Sequence, residues 1–452
     1  MTILYRASWV LPISSGPIAD GAIVVDGEQI AAVGSYANLA ESYAEVPTQN
    51  LGDAAIIPGL VNAHSHLELT AMRGFLDAED SDFFAWLRKL TIARLERLTP
   101  DDLYVSAAWG VCEAARAGIT CVGDASDAAG QSMKALRDTG LRGTVYQESF
   151  GPDARFAKAN VEELKEKVTR LREFETAQVR VGVSPHAPYT VCAPQLELIS
   201  EFALAEKLPV MIHTAESEFE ELLLRDGRGP FADRFVQRGI EWTAPNCSTV
   251  QHLLKHGILS TRPLLTHCIN VDDADLQTIK ESGAGIAHCP KSNAKLGHGR
   301  APWAKFLAAQ IPVGLGSDSV ASNNTCDILE EARFAVLIAR GGQDRNHDLP
   351  IPNADDALAA ATLGGATALG RGEDIGRLEV GRQADFAAVS LSGVHQRPVY
   401  EPSGTLIFAS SGRDVIMTVV AGREIYRDGR VTTVDEDRLR ARMDEISDKL
   451  RS

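Results

Sequence analysis

The chain has 452 residues, with 45 Lys+Arg against 61 Asp+Glu and a formal charge of −16. That acidity excludes a nonspecific nucleic-acid or anionic-membrane binder, which needs a basic face. No apolar run reaches the roughly 18 residues of a transmembrane span, and at 44% hydrophobic and 23% charged the composition is globular, with length for one large domain and a satellite.

The first dozen residues hold one Arg and no small-residue cleavage pattern, so no signal peptide is expected. Residues 22–34 form two β-rich runs around Asp26-Gly27, a hairpin signal. From residue 56 the pattern changes to eight short apolar runs: 56–61, 120–123, 143–147, 179–184, 210–213, 264–267, 285–288 and 312–316. Helix-like stretches at 99–117, 161–174 and 194–206 lie between them. Short buried runs separated by helices imply βα units and a parallel sheet, and eight units fit a (β/α)8 TIM-like barrel, an α/β fold. A doubly wound sheet would want a Gly-rich phosphate loop after the first strand, which is absent. Strand-like runs with Gly turns return at 376–389 and 415–426, and the tail from Glu436 is charged and helix-prone. The expected organisation is a small β-sandwich domain built from both chain termini (1–56 and 373–434), a barrel over 57–372 and a C-terminal helix over 435–452. The seven cysteines are scattered and include no C-x-x-C pair, so neither a disulfide framework nor a cysteine zinc knuckle is implied, and a reducing cytoplasm is expected.

Polar residues close several of these runs. The first leads into His64-Ser65-His66, the fifth ends at His213 with Glu216 following, the sixth ends at His267 and the eighth leads to Asp318. Residues i and i+2 of a strand share a face, so two imidazoles can grip one metal ion. A lone His at a strand end is usually a satisfied polar residue. Several at the ends of separate runs, on the catalytic face of a barrel, point to a metal centre.

The stretch Pro58-Gly-Leu-Val-Asn-Ala-His-Ser-His66 resembles the first-strand signature of the amidohydrolase superfamily. The motifs at 288–296 (HCPKSNAKL), 316–324 (GSDSVASNN) and 376–385 (GRLEVGRQAD) resemble its deaminase and chlorohydrolase branch, and the resemblance covers nearly the whole chain. The His-x-Glu and Pro-Cys-x-x-Cys signature of small cytidine-type deaminases is absent. The resemblance implies one divalent ion held by His64, His66, His213 and Asp318, with His267 beside the metal-bound water. The donor set suits Zn²⁺, and Fe²⁺ or Mn²⁺ also fits. No Lys closes the run ending Val145-Tyr-Gln-Glu148, counted as the fourth, so a single ion is expected.

Hydrolysis of a ring amine needs an activated water, a base for its proton and an acid for the adjacent ring nitrogen. Asp318 is the expected base, His267 the stabiliser of charge on the attacking oxygen, and Glu216 the acid, provided burial raises its pKa. The segment Pro185-His186-Ala-Pro-Tyr-Thr190 resembles the substrate-binding segment of adenosine-type deaminases, which makes His186 a substrate contact. His64-Ser-His-Leu67-Glu68 and Gly227-Arg-Gly-Pro-Phe231 resemble aminodeoxyfutalosine deaminases and add Glu68 to the substrate set. Trp86, with Phe83 and Phe84, either covers a flat ring or packs a helix on the barrel. The carboxylate that binds ribose in adenosylhomocysteine deaminases has no clear register match, Glu96 being the nearest. Ser292, Asn293 and Lys295 either orient substrate or brace the metal loop, and His252, His256, His298, His347 and His395 default to surface or packing roles.

The leading expectation is thus a metal-dependent hydrolytic deaminase of a 6-aminopurine nucleoside. Aminodeoxyfutalosine is favoured over adenosine, S-adenosylhomocysteine and methylthioadenosine. One alternative is a hydrolase of another N-heterocycle of guanine, cytosine or triazine type, cleaving C–N or C–Cl. The other is a non-catalytic assembly subunit on the same fold. The expected partner is a small-molecule substrate, with no nucleic acid and no membrane, and a homodimer is the default assembly.

Overall fold

A computed structural model describes residues 1–342 and 349–452; His347 lies outside the described residues. Its centre is eight parallel strands: β1 (Leu60–Ser65), β2 (Ile119–Ser126), β3 (Arg142–Ser149), β4 (Val179–Pro185), β5 (Met211–Thr214), β6 (Leu264–His267), β7 (Gly285–His288) and β8 (Val313–Leu315). They form two four-stranded sheets, β1 to β4 and β5 to β8, each in chain order. Parallel bridges join the sheets at both seams, Val183 to Val210 and Ser65 to Asp318. Every residue of β2 and β3 is buried. A strand covered on both faces needs no polar alternation, which is why these segments read as short continuous apolar runs. The helices between them begin where their sequences say they should. Pro100–Arg116, for example, opens with a capping box from Thr99 and Asp102 and with Pro at its start.

Two strand readings are corrected. The run at 56–61 is two strands, because Ala54–Pro58 belongs to a different sheet from β1. Gly59 makes the step between them, where a Cβ would lie 2.0 Å from Thr120 Oγ1. Glu148 lies near the end of the third parallel strand rather than the fourth. The fourth, Val179–Pro185, also lacks Lys, so the premise for a single ion stands.

The two ends of the chain build one sheet. Ala54–Pro58 pairs parallel with Trp9 and Val10 on one side and antiparallel with Phe386–Ser390 on the other. Hydrogen bonding links nine strands into one sheet rather than the two of the expected sandwich. Successive residues explain how one sheet suffices. Ile56, Phe386, Ala388, Met417 and Val419 cluster with Tyr5 and Ile23, while Ala55, Ile57, Ala387 and Val389 belong to the core of the main body. The predicted strand over 376–389 starts only at Phe386, because Gly376 and Gly381 take positive φ of 91° and 84° and turn the chain. The tail forms the expected helix, Glu436–Arg451, whose Ile446 and Leu450 join the cluster that contains Phe83 and Trp86. Among the described residues, no helix is long and apolar enough to cross a membrane.

A buried ion pair ties this sheet to the parallel strands. Arg142 of β3 donates to both oxygens of Asp385, at 2.7 and 2.9 Å, and Asp385 also accepts from the backbone N–H of Ala421 at 2.8 Å. Asp385→Ala strands a buried guanidinium, so it is expected to lower stability by about 3–5 kcal/mol. Urea unfolding of the variant checks this, and a loss below about 1 kcal/mol would show that the pair does not anchor the sheet.

Candidate active site

The C-terminal ends of the parallel strands bring His64, His66, His213, His267 and Asp318 together. Ligand-capable atoms of His64, His66 and His213 lie within 4.8 Å of one another, as do those of His64, His267 and Asp318. Asp318 Oδ1 is 3.4 Å from His64 Nε2 and 3.5 Å from His66 Nε2. Groups behind the rings set which ring nitrogen faces inward. His213 Nδ1 donates to the His186 carbonyl and His267 Nδ1 to Asn293 Oδ1, both at 2.8 Å, while His64 Nδ1 lies 3.1 Å from Met211 Sδ. These contacts leave the Nε2 lone pairs for the centre. His64 Nε2 and His267 Nε2 are buried with no hydrogen-bond partner. His267 and Asp318 reach their positions through positive φ of 74° and 55°, which non-glycine residues rarely adopt.

Electrostatics point the same way. Burial holds the imidazoles of His64 and His66 below the ordinary value and that of His213 at about 4, so all three are neutral at pH 7. Burial opposes charge on Asp318, yet the closeness of His64, with His267 and His66 nearby, holds its carboxyl well below the usual range. Mutual protonation cannot serve both sides. An ionised Asp318 among neutral imidazoles is the state that fits their depths, and it leaves lone pairs converging on one point with no proton between them. A cation relieves that arrangement, and nitrogen donors with one carboxylate match a zinc-type ion.

Glu216 follows β5 by two residues and is buried. Tyr189 OH donates to its Oε2 at 3.2 Å, while Oε1 lies 3.5 Å from His267 Nε2 and 3.8 Å from His298 Nε2. The buried carboxylate of Glu220 accepts from the N–H groups of Ala215 and Glu216, both at 3.0 Å, and so holds the turn that aims Glu216. The expected rise in the Glu216 pKa is not found. Burial pushes it up, but His267, His298 and His213 pull it down, and the balance lies below the ordinary glutamate value.

His298 is the residue sequence reasoning missed. Assigned there to surface or packing, it instead faces Glu216, with its ring edge-on to Phe83 at 4.8 Å and its buried Nε2 unpartnered. The signal was its place between Gly297 and Gly299, just past a recognised motif, where φ of 70° and 110° swing the loop inward. Trp86 stacks behind Phe83 at 6.2 Å, so Phe83 is the aromatic nearer the acid. Glu68 is taken up by Arg94 Nε at 2.8 Å, the N–H of Ala128 at 2.7 Å and the hydroxyl of Ser126. His186 sits beside His213, ring to ring at 4.6 Å, with its Nδ1 2.8 Å from Thr190 Oγ1. His252 and His256 meet edge to face and His395 faces Asp414, away from this cluster.

The loop residues left open resolve as braces. Ser292 donates to Asp318 Oδ2 at 2.5 Å, Asn293 orients His267, and Lys295 joins Asp77 to Asn324. Asp124, near the end of β2, accepts from Leu67 N at 2.7 Å and Ser65 Oγ at 3.1 Å, which fixes the His-x-His turn. Beneath Asp318, Asn323 donates to the Ser317 carbonyl and to Glu331, each at 2.6 Å.

A profile of the amidohydrolase family matches residues 55–425. The chain belongs to the amidohydrolase family. Among its relatives is a 5-methylthioadenosine/S-adenosylhomocysteine deaminase of Syntrophobacter fumaroxidans, 32% identical over 94% of this chain and 92% of that protein. A protein of the same name from Moorella thermoacetica is 30% identical over 98% of both chains. Among solved structures, a zinc-bound adenosine deaminase from Xanthomonas campestris aligns over 99% of this chain and 98% of its own, with TM-score 0.85 and 28% identity. The zinc complex of an atrazine chlorohydrolase from Arthrobacter aurescens aligns over 98% and 100%, with TM-score 0.83 and 25% identity.

The floor of the site carries a pH signature. Burial pushes the Glu331 carboxyl from 4.5 up to about 8. Between those values the folded protein holds a proton that the unfolded chain releases, so this group's contribution to stability is lost as pH rises through the window. Glu331→Gln removes the titration. The stability of wild type relative to the variant should therefore fall from pH 5 to pH 8 in urea melts. A constant difference would place Glu331 at an ordinary pKa.

Proposed function

We propose that this protein deaminates a 6-aminopurine nucleoside by hydrolysis at a mononuclear metal site. It is a hydrolase acting on carbon–nitrogen bonds of cyclic amidines, as the family and the named relatives support. The observation that carries the finer reading is a buried carboxylate, Glu216, set against His267 at the rim of the His/Asp cluster. The parallel bridges at both seams support reading the eight strands as one closed (β/α)8 barrel with the site at its C-terminal mouth.

His64, His66, His213 and Asp318 would hold one divalent ion, which when bound supplies a Lewis acid and lowers the pKa of water from about 15.7 towards 7. The protein's own groups then divide the remaining work. Asp318, steadied by Ser292 and Ser322, is the acceptor for the water's proton. His267, its Nδ1 fixed on Asn293, offers Nε2 as an acceptor that orients the attacking water, and once protonated there it stabilises the oxygen that gains charge. Glu216 is ionised in the free protein, so it takes up a proton with the substrate. Tyr189 occupies Oε2, leaving Oε1 to pass that proton to the ring nitrogen beside the attacked carbon. Phe83 closes the space beside His298 against water.

Among nucleosides, the names of the relatives favour 5′-methylthioadenosine and S-adenosylhomocysteine. The sequence motifs that favoured aminodeoxyfutalosine keep it on the same panel. Chloride displacement from a triazine is the second reading, favoured by the likeness to the atrazine chlorohydrolase. Ammonia release from these nucleosides and adenosine, against chloride release from atrazine, decides between them.

Three variants test the machinery. Elemental analysis should find about one zinc or iron per chain, lost along with activity in His64→Ala or Asp318→Ala. Two tightly bound ions would sink the mononuclear reading. Glu216→Gln should keep its metal while deamination falls roughly 10²–10⁴-fold in kcat as well as kcat/KM. Near-normal turnover would remove Glu216 from the reaction.

A further inference from the structure

One buried group at the mouth of the strands has no role in the scheme above. Glu148 lies one residue before the end of β3, is 7% exposed, and its Oε1 has no hydrogen-bond partner. That oxygen lies 4.0 Å from His186 Nε2, and carboxylate and ring atoms of Glu148, His186 and His213 fall within 4.8 Å of one another. The nearby cation offers no relief, because Arg94 is committed to Glu68 at 2.8 Å and Asp127 at 3.1 Å. A buried carboxyl oxygen without a partner costs free energy, and in a cleft such a group is normally completed by what binds there.

A second cation is not the completing ligand. His213 spends Nδ1 on the His186 carbonyl, so it has one free ring nitrogen, and one nitrogen cannot serve two ions. With His213 given to the centre of the site, Glu148 and His186 remain as a pair without a third ligand. The wall they form opens outward. Phe150, two residues beyond Glu148, is 43% exposed and lies over the His186 ring at 4.8 Å. A ring held with its amine at the metal ligands and one nitrogen at Glu216 would extend its other polar atoms along such a wall.

We propose that Glu148 is a specificity-determining residue that hydrogen-bonds a polar atom of the substrate, a ring nitrogen or a sugar hydroxyl, on the His186 side of the site. This rests on the deaminase reading and deepens it. Glu148 and His186 together read the edge of the substrate that Glu216 does not touch. Glu148 thereby selects among heterocycles that share the same reacting carbon. Leaving its carboxyl unmet is a penalty for any ring that lacks the matching group, the kind of discrimination buried polar groups give.

The experiment compares metal-loaded wild type, Glu148→Ala and Glu148→Gln on adenosine, 2′-deoxyadenosine, 3′-deoxyadenosine, 3-deazaadenosine and 7-deazaadenosine. For adenosine, Glu148→Ala should raise KM roughly 10- to 100-fold with a smaller change in kcat and unchanged zinc content. Glu148→Gln, which keeps a donor and an acceptor, should recover part of the loss. The penalty of Glu148→Ala should vanish for the one analogue that lacks the atom Glu148 touches, and that analogue tells hydroxyl from ring nitrogen. An equal penalty on every analogue, no penalty on any, or loss of zinc overturns the proposal while leaving the deaminase reading intact. A wild type that releases ammonia from none of this panel, nor from 5′-methylthioadenosine, S-adenosylhomocysteine or aminodeoxyfutalosine, overturns both.

Discussion

Lone pairs that converge without a proton between them are the constraint on which this architecture depends. His64, His66 and His213 are too deeply buried to be charged at neutral pH, and Asp318 is ionised among them. Holding that arrangement requires each side chain to be pinned from behind. Met211, the His186 carbonyl and Asn293 hold the far sides of three rings, and Ser292 and Ser322 hold the far oxygen of the carboxylate. Backbone strain is part of the same constraint. Positive φ at Ala215, His267, Cys268 and Asp318 costs of order 1–3 kcal/mol each, and such residues persist only where their surroundings over-determine them.

Much of this was legible in the sequence. The parallel strands, Arg180 apart, are buried on both faces and so appear as short apolar runs, and the histidines and the aspartate that end such runs stand out against them. What lay beyond reach came from the meeting of distant segments. Ile56 to Val61 is a continuous apolar run, and only the closeness of Gly59 to Thr120 divides it between two sheets. His298 carries no periodic signal; it enters the site through Phe83, more than two hundred residues earlier. The depth of Glu216 could be anticipated from its place after a strand, whereas the imidazoles that pull its proton affinity down could not. Lys295, Ser292 and Asn293 were visible as a motif, but their division of labour depends on distant partners, Asn324, Asp318 and His267.

The aromatic wall links the chemistry to the end of the chain. Phe83 meets His298, Trp86 stacks behind Phe83, and the same apolar cluster runs on to Leu98, Leu103, Ile446 and Leu450. The last helix is further held by Lys449 and Arg442 on Asp102 and by Glu436 on Arg116. Glu216 is thus flanked by a wall whose support comes from residues near position 450.

The sheet shared by the two termini sets the order in which the molecule can be made. Ala54–Pro58 lies between Trp9–Val10 and Phe386–Ser390, so during synthesis one of its edges has no partner until most of the chain has left the ribosome. An apolar strand with an open edge is a template for pairing with another copy. The nascent protein therefore carries an aggregation hazard near its beginning for most of translation, and that hazard ends only when the strand from Phe386 arrives.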